Sequence, residues 1–264
     1  MEYPKINSLW KRAEDHNFIE GDYSCPEFAS INKWRVQEKI DGTNVRVHIY
    51  RYRKPENKTE AALINAFEPK ENIYLASKMF NSECSIEIHG RTNKAQLNQK
   101  LIDFIWNKHF ETKLDLFPIN GEVYSTVLFG EGFGAGIQSG GIYRNDISFI
   151  LFDVYMGGRW STREEVKHLA NLLELETPHD FGMMTQDEII SFIKSKPRGM
   201  YGANTITTPK NIFIAAAGTG IIVKPSPNYI LEGIVARSEP LVRFNNNQAS
   251  PVMWKLKVKD FKGD

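Results

Sequence analysis

The sequence predicts an α+β fold, and three observations carry that expectation. Residues 44–50 alternate, with Val45, Val47 and Ile49 on one side and Arg46 and His48 on the other, the period-two pattern of a half-buried strand. Residues 94–107 set Leu97, Leu101, Phe104 and Ile105 along one helical stripe, with a polar face left for water. Two segments carry helix-start signals, Thr162 with Glu165 and Thr185 with Glu188. In each, the Thr hydroxyl caps an N-terminal amide and the Glu three residues on reaches back.

The remaining elements follow in order. Residues 86–89 repeat the strand alternation. Residues 149–154 are apolar on both faces until Asp153, as suits a central strand. Pro178 and Pro197 limit the two capped helices. Strands return at 230–237 and 253–259, where Trp254, Leu256 and Val258 face one way and Lys255, Lys257 and Lys259 the other. Polar stretches at 56–60 and 245–248 read as exposed loops, and the glycines from Gly130 to Gly141 as a flexible loop. With no repeat and no shift in composition, one domain over 1–264 is the simplest expectation.

With 33 basic and 32 acidic residues and a formal charge of +1, the chain has no overall attraction for polyanions, so any such site is a local patch. Cys25 and Cys84 are far apart and belong to no Cys/His cluster, which excludes a zinc framework and points to a reducing compartment. No apolar run approaches the ~18 residues of a membrane span, and the first residues lack a signal-like apolar stretch. A soluble, cytoplasmic protein with no membrane partner is expected.

The chemistry centres on Glu38-Lys39-Ile40-Asp41-Gly42-Thr43-Asn44, where a lysine precedes a tight turn leading into a strand. By itself this is the pattern of a solvated lysine. Its company changes the reading: Gly90-Arg91-Thr92, Phe152-Asp153, Glu232-Gly233-Ile234-Val235 and Lys255-Leu256-Lys257 follow in that order. The set resembles the ordered motifs of ATP-dependent DNA and RNA ligases and mRNA capping enzymes. Gly130-Glu131 followed by Gly134-Ala135-Gly136-Ile137-Gln138 is similar to the T4 RNA ligase 2-like family, as is Glu38 to Asn44. No Gly-Lys-Ser/Thr follows those glycines, so a P-loop is a poor reading.

The resemblance implies a nucleotidyltransferase domain, ATP-grasp-like, with antiparallel sheets flanked by helices. It implies that Lys39 attacks the α-phosphate of ATP to form lysyl-AMP, that AMP passes to an RNA 5′-phosphate, and that a 3′-hydroxyl then displaces it. Lys255 and Lys257 would stabilise the triphosphate and, as nearby cations, favour the neutral Lys39 amine. Asp41, Glu131 and Glu232 would hold Mg²⁺ or Mn²⁺, largely through water. Arg91 would lie near the nucleotide and the 5′-phosphate, Phe152 would stack on adenine, and Glu38 and Asn44 would hold the nucleotide or metal waters.

Each residue has a plainer role beside this one. Arg91 suits a surface ion pair, Phe152 the core, Glu38 and Asn44 a turn, and the alternating lysines the outer side of an edge strand. Glu122, which also follows a glycine, rivals Glu131. Seven residues follow Lys257, so no C-terminal OB-fold or helical domain is expected. Capture of RNA ends, in a nick or a single strand, then falls to this domain or to a protein partner, unless the chain is a piece of something longer. A DNA ligase acting on DNA ends, a GTP-using capping enzyme and an RNA end sensor without turnover are the alternatives.

Overall fold

A computed structural model of the chain describes residues 1–52, 73–75, 77–80, 83–117, 123–201, 229–246 and 249–261. Glu122 and the loops at 56–60 and 247–248 lie outside these. The strands are β1 (Asn7–Ser8), β2 (Trp10–Arg12), β3 (Phe18–Tyr23), β4 (Lys33–Lys39), β5 (Thr43–Tyr52), β6 (Ile73–Leu75), β7 (Lys78–Phe80), β8 (Cys84–Gly90), β9 (Val123–Gly134), β10 (Ile147–Met156), β11 (Arg159–Trp160), β12 (Asp180–Thr185), β13 (Gly233–Ser238) and β14 (Met253–Lys257). The helices are α1 (Gln99–Trp106), α2 (Arg163–Leu172) and α3 (Gln186–Lys194). None of the described helices is long and apolar enough to cross a membrane. The chain forms two compact units, Met1–Lys5 with Asp41–Thr177, and Ile6–Ile40 with Pro178–Asp264.

The first unit holds a seven-stranded antiparallel sheet in the order β11-β10-β9-β5-β8-β7-β6. Val45, Val47 and Ile49 of β5 pack with Leu101 and Ile105 of α1 and Val166 and Leu169 of α2. Burying each such side chain contributes about 1.5–3 kcal/mol. Helix α1 starts five residues later than its stripe predicts, because Asn98 caps it: the Lys100 amide donates to Asn98 Oδ1 at 2.9 Å. Both Thr/Glu capping boxes are present as expected, at α2 and α3. Glu165 of the first also accepts from Arg159 at 2.5 and 2.8 Å, which together with the Thr162 amide holds its carboxyl down at about 2.

Two expectations fail in this unit. Gly130, Gly132 and Gly134 are strand, part of β9, where a flexible loop was expected. A Cβ on Gly130 would lie 2.3 Å from the Phe149 ring, and one on Gly132 2.2 Å from Leu101. The glycines admit neighbours against the sheet; flexibility is not their use. The second face of β5 is also buried: Arg46 is 1% exposed and His48 5% exposed. Residues Met1–Lys5 belong to this unit, with the Met1 carbonyl accepting from Arg46 Nη1 at 2.7 Å and the Tyr3 ring 5.0 Å from Phe129. A period-two pattern has no means of announcing a cover that comes from another part of the chain.

Burial, aided by the positive charges of the N-terminal amine and Arg46, pushes His48 down to about 4. The unfolded chain takes up this proton near pH ~6.5, whereas the folded one resists until about 4, so the unfolded state binds more protons between those values. Folding stability is therefore expected to fall as pH drops through this window, by up to about 3 kcal/mol from this residue. Chemical denaturation of wild type and His48→Leu at pH 7 and pH 4.5 checks it. An equal pH slope in both proteins would remove the assignment.

The second unit holds a five-stranded sheet, β1-β14-β13-β4-β12, antiparallel except for the short β1–β14 pairing, together with the β2–β3 pair. One face carries Trp34 and Val36, Ile234 and Ala236, Trp254 and Leu256, all fully buried against Ile189 and Ile193 of α3. Alternation therefore puts Lys39, Gly233, Val235, Lys255 and Lys257 on the other face. Strand β14 lies between β13 and β1, so its lysines are not the blunting charges of an edge. The strand stops at Lys257, two residues short of the pattern, where Val258–Asp260 turns away in a 3-10 helix.

Candidate active site

The register of the five-stranded sheet explains why a lysine, a Glu-Gly pair and a second lysine distant in sequence come together. Gly233 of β13 pairs with Lys39 of β4 on one side and Lys257 of β14 on the other. The two lysines thus stand two strands apart, roughly 9–10 Å across the sheet. Glu232, just outside β13, bridges them: its Oε2 accepts from Lys39 Nζ and its Oε1 from Lys257 Nζ, both at 2.7 Å. Gly233 is required between them, since a Cβ there would sit 2.2 Å from the Leu256 carbonyl oxygen. Lys39 Nζ also donates to its neighbour's carbonyl, that of Ile40, at 3.2 Å.

The charge nearest Lys39 is a carboxylate, opposite in sign to the neighbouring cations the sequence argument relied on. Lys255 and Lys257 share the face of the sheet with Lys39, yet Lys257 spends its charge on the same Glu232. All three side chains are partly exposed, at 15–25%, so the bridge is open to exchange with an incoming anion.

Glu38 is turned to the buried face. Its carboxylate accepts from the Tyr229 hydroxyl and from the Met200 amide at 3.0 Å, and burial pushes its carboxyl upward against those hydrogen bonds. Its side chain is thus bound to distant residues of its own unit from within β4, and not by the local hydrogen bonds of a turn. Tyr229 gave no sequence signal; nothing in its spacing links it to Glu38, 191 residues away.

In the first unit, the turn after Lys39 is built tightly. A Cβ on Gly42 would meet the Gly132 carbonyl oxygen at 2.3 Å and the Glu131 side chain at 2.8 Å, so the turn requires glycine. The Asp41 amide donates to the Tyr143 hydroxyl at 3.0 Å, a second anchor that the sequence did not reveal. Asn44 pairs directly with Glu131 across β5 and β9, and its side-chain oxygen is buried with no hydrogen-bond partner among the described residues. Such an atom costs about 1–3 kcal/mol unless a ligand or water satisfies it.

Phe152 is the extra residue of a bulge: Leu151 pairs with Gly130 and Asp153 with Phe129, leaving Phe152 unmatched. The ring is half-buried, with Tyr3 edge-on at 5.0 Å. Asp153, 1% exposed, accepts from the Tyr3 hydroxyl at 3.1 Å. Arg91 follows the end of β8, exposed and in no ion pair among the described residues.

These residues fit the groups the motifs imply. Asp41, Glu131 and the Asn44 side-chain oxygen of the first unit, and Glu232 of the second, are each hard oxygen donors of the kind Mg²⁺ and Mn²⁺ take. Among the described residues no three His, Cys, Asp or Glu side chains gather as a ready ligand set. The bulged Phe152 offers an aromatic face to a base.

A family model described as RNA ligase matches residues 32–257. The chain belongs to the RNA ligase family. Its mixed sheets and helices are the nucleotidyltransferase fold of that family. Among solved structures it is similar to the RNA ligase of Naegleria gruberi. One lysine-to-alanine variant of that enzyme, solved with ATP and manganese, is 16% identical over 98% of this chain and 59% of that one, with a TM-score of 0.50. An apo variant with an aspartate replaced matches at 15% over 100% and 60%, with a TM-score of 0.51. The enzyme with pyrophosphate matches at 16% over 97% and 57%, with a TM-score of 0.50. The present chain therefore spans about three fifths of the length of these ligases. No curated protein matches it.

Proposed function

We propose that this RNA ligase family chain is an ATP-dependent enzyme that joins RNA 5′-phosphate and 3′-hydroxyl ends through AMP carried on Lys39. The observation that carries the reading is the row Lys39–Gly233–Lys257 bridged by Glu232. It sets a primary amine beside a carboxylate that accepts its hydrogen bond, with further lysine charge on the same face of the sheet as the amine. Nucleotide complexes of the Naegleria ligase support the same nucleotide class.

In the first step the Lys39 nitrogen bonds to the α-phosphorus of ATP, the bond to pyrophosphate breaks, and Lys39 gives up its ammonium proton with Glu232 in reach. Lys255 and Lys257 offset the charge of the departing pyrophosphate. Phe152 stacks on adenine, and Arg91 meets phosphate oxygens with its planar fork. A divalent ion, for which the family motifs imply the carboxylates Asp41, Glu131 and Glu232, would supply further charge neutralisation on the phosphates. AMP then passes to the RNA 5′-phosphate, and the 3′-hydroxyl displaces it to form the phosphodiester.

Incubation with Mg²⁺ and α-labelled ATP or GTP, followed by peptide mapping, tests this. Acid-labile label from ATP on the peptide bearing Lys39 is expected. Label on another residue, or from neither nucleotide, would sink the mechanism. Nicked duplexes with RNA or DNA 3′ ends test the substrate, and sealing of DNA ends alone would overturn the RNA assignment.

A further inference from the structure

Arg46 belongs to none of the motifs, yet it is among the most deeply buried side chains of the first unit, at 1% exposure. Its nearest carboxylate is that of Glu2, at 4.0 Å and with a side chain 54% exposed. A guanidinium so placed gives up hydration worth several kcal/mol with little charge compensation, so its hydrogen bonds must hold it. Three are present. Nε donates to the Gly90 carbonyl at 3.1 Å, Nη1 to the Met1 carbonyl at 2.7 Å, and Nη2 to the side-chain oxygen of Asn93.

Gly90 and Asn93 flank Arg91 and Thr92, the two residues that follow β8. The segment is closely packed: a Cβ on Gly90 would lie 2.7 Å from the Ala95 Cβ, and the turn that follows, Thr92–Ala95, is closed by the Ala95 amide donating to the Thr92 carbonyl at 3.1 Å. Arg91 itself is exposed and forms no ion pair among the described residues. A buried arginine thus grips both sides of a two-residue segment that carries a second arginine with no ion pair among the described residues. A free guanidinium on a braced backbone loses little entropy when it takes a phosphate in its fork.

We propose that Arg46 is a positioning residue that clamps the 90–93 segment through Gly90 and Asn93, holding Arg91 in place for phosphate oxygens during ligation. The inference rests on the ligase reading above. The phosphate belongs either to ATP or to the RNA 5′ end, and the two reaction steps separate these sources.

The test uses the full chain and two measurements: the rate of labelling by ATP, and the rate at which enzyme already carrying AMP passes it to a 5′-phosphate RNA. Asn93→Ala removes one jaw at an exposed position and should fold as wild type does, which thermal unfolding checks. Arg46→Lys keeps the charge and loses the fork. Misplacing a catalytic group by an ångström costs up to ~10²-fold, so Asn93→Ala is expected to slow one step about tenfold and Arg46→Lys more. The slowed step should be the one that Arg91→Ala slows. Adding Asn93→Ala to Arg91→Ala should then cost nothing further, because the clamp acts only through Arg91. Unchanged rates in both single variants, loss in a step Arg91 does not affect, or an undiminished loss in the Arg91→Ala background would overturn the proposal. A wild-type chain that takes no label would overturn the ligase reading, and this inference with it.

Discussion

Lys39→Arg is expected to take no label from α-labelled ATP, a loss on the order of 10³-fold or more, while unfolding within about 1 kcal/mol of wild type. The two halves of that result have different causes. Arginine stays protonated at any working pH, so it cannot supply the lone pair that attacks phosphorus. It keeps the positive charge that Glu232 accepts at 2.7 Å, so the bridge across Gly233 survives. Lys39→Ala should be equally unlabelled but less stable, since it leaves Glu232 with Lys257 alone. Labelling of Lys39→Arg at the wild-type rate would take the nucleophile's role away from this position.

Glu232→Ala is expected to lower both stability and labelling. Removing the carboxylate leaves two ammonium groups facing each other across a glycine. Fully buried pairs lose 3–5 kcal/mol when one partner goes, and exposed ones under about 1. Side chains 15–25% exposed fall between, so a loss of about 1–3 kcal/mol is expected. The double variant Lys39→Met, Glu232→Ala should recover part of that loss, because it removes one of the repelling charges. Denaturant titration of the four proteins measures the coupling. A double variant no more stable than Glu232→Ala would show that the bridge does not hold the row together. Labelling in Glu232→Ala should fall by about 10² or more, as removal of one preorganised electrostatic group does elsewhere. Full labelling there would overturn the carboxylate's part in the chemistry.

Much of the local structure was legible because its causes are local. The Thr162 and Thr185 caps, the strand from Thr43, and the alternation of Trp254 and Leu256 against Lys255 and Lys257 each depend on residues within a few positions of one another. The glycines of β9 misled because a missing side chain reads the same whether a chain is loose or closely packed against Phe149 and Leu101. The bulge at Phe152 was invisible because pairing register depends on the partner strand.

By itself, then, the sequence determined the α+β character of this protein, the starts of its two Thr-capped helices, and the ordered motifs that identify it as an RNA ligase family member. Only the tertiary structure decided what the motif residues touch. Glu232 bridges Lys39 and Lys257, Glu38 turns inward to Tyr229, and Arg46 reaches both sides of the segment that bears Arg91. The physical reason is range: caps and alternation act over three or four residues, whereas strand register and burial bring together groups nearly two hundred apart.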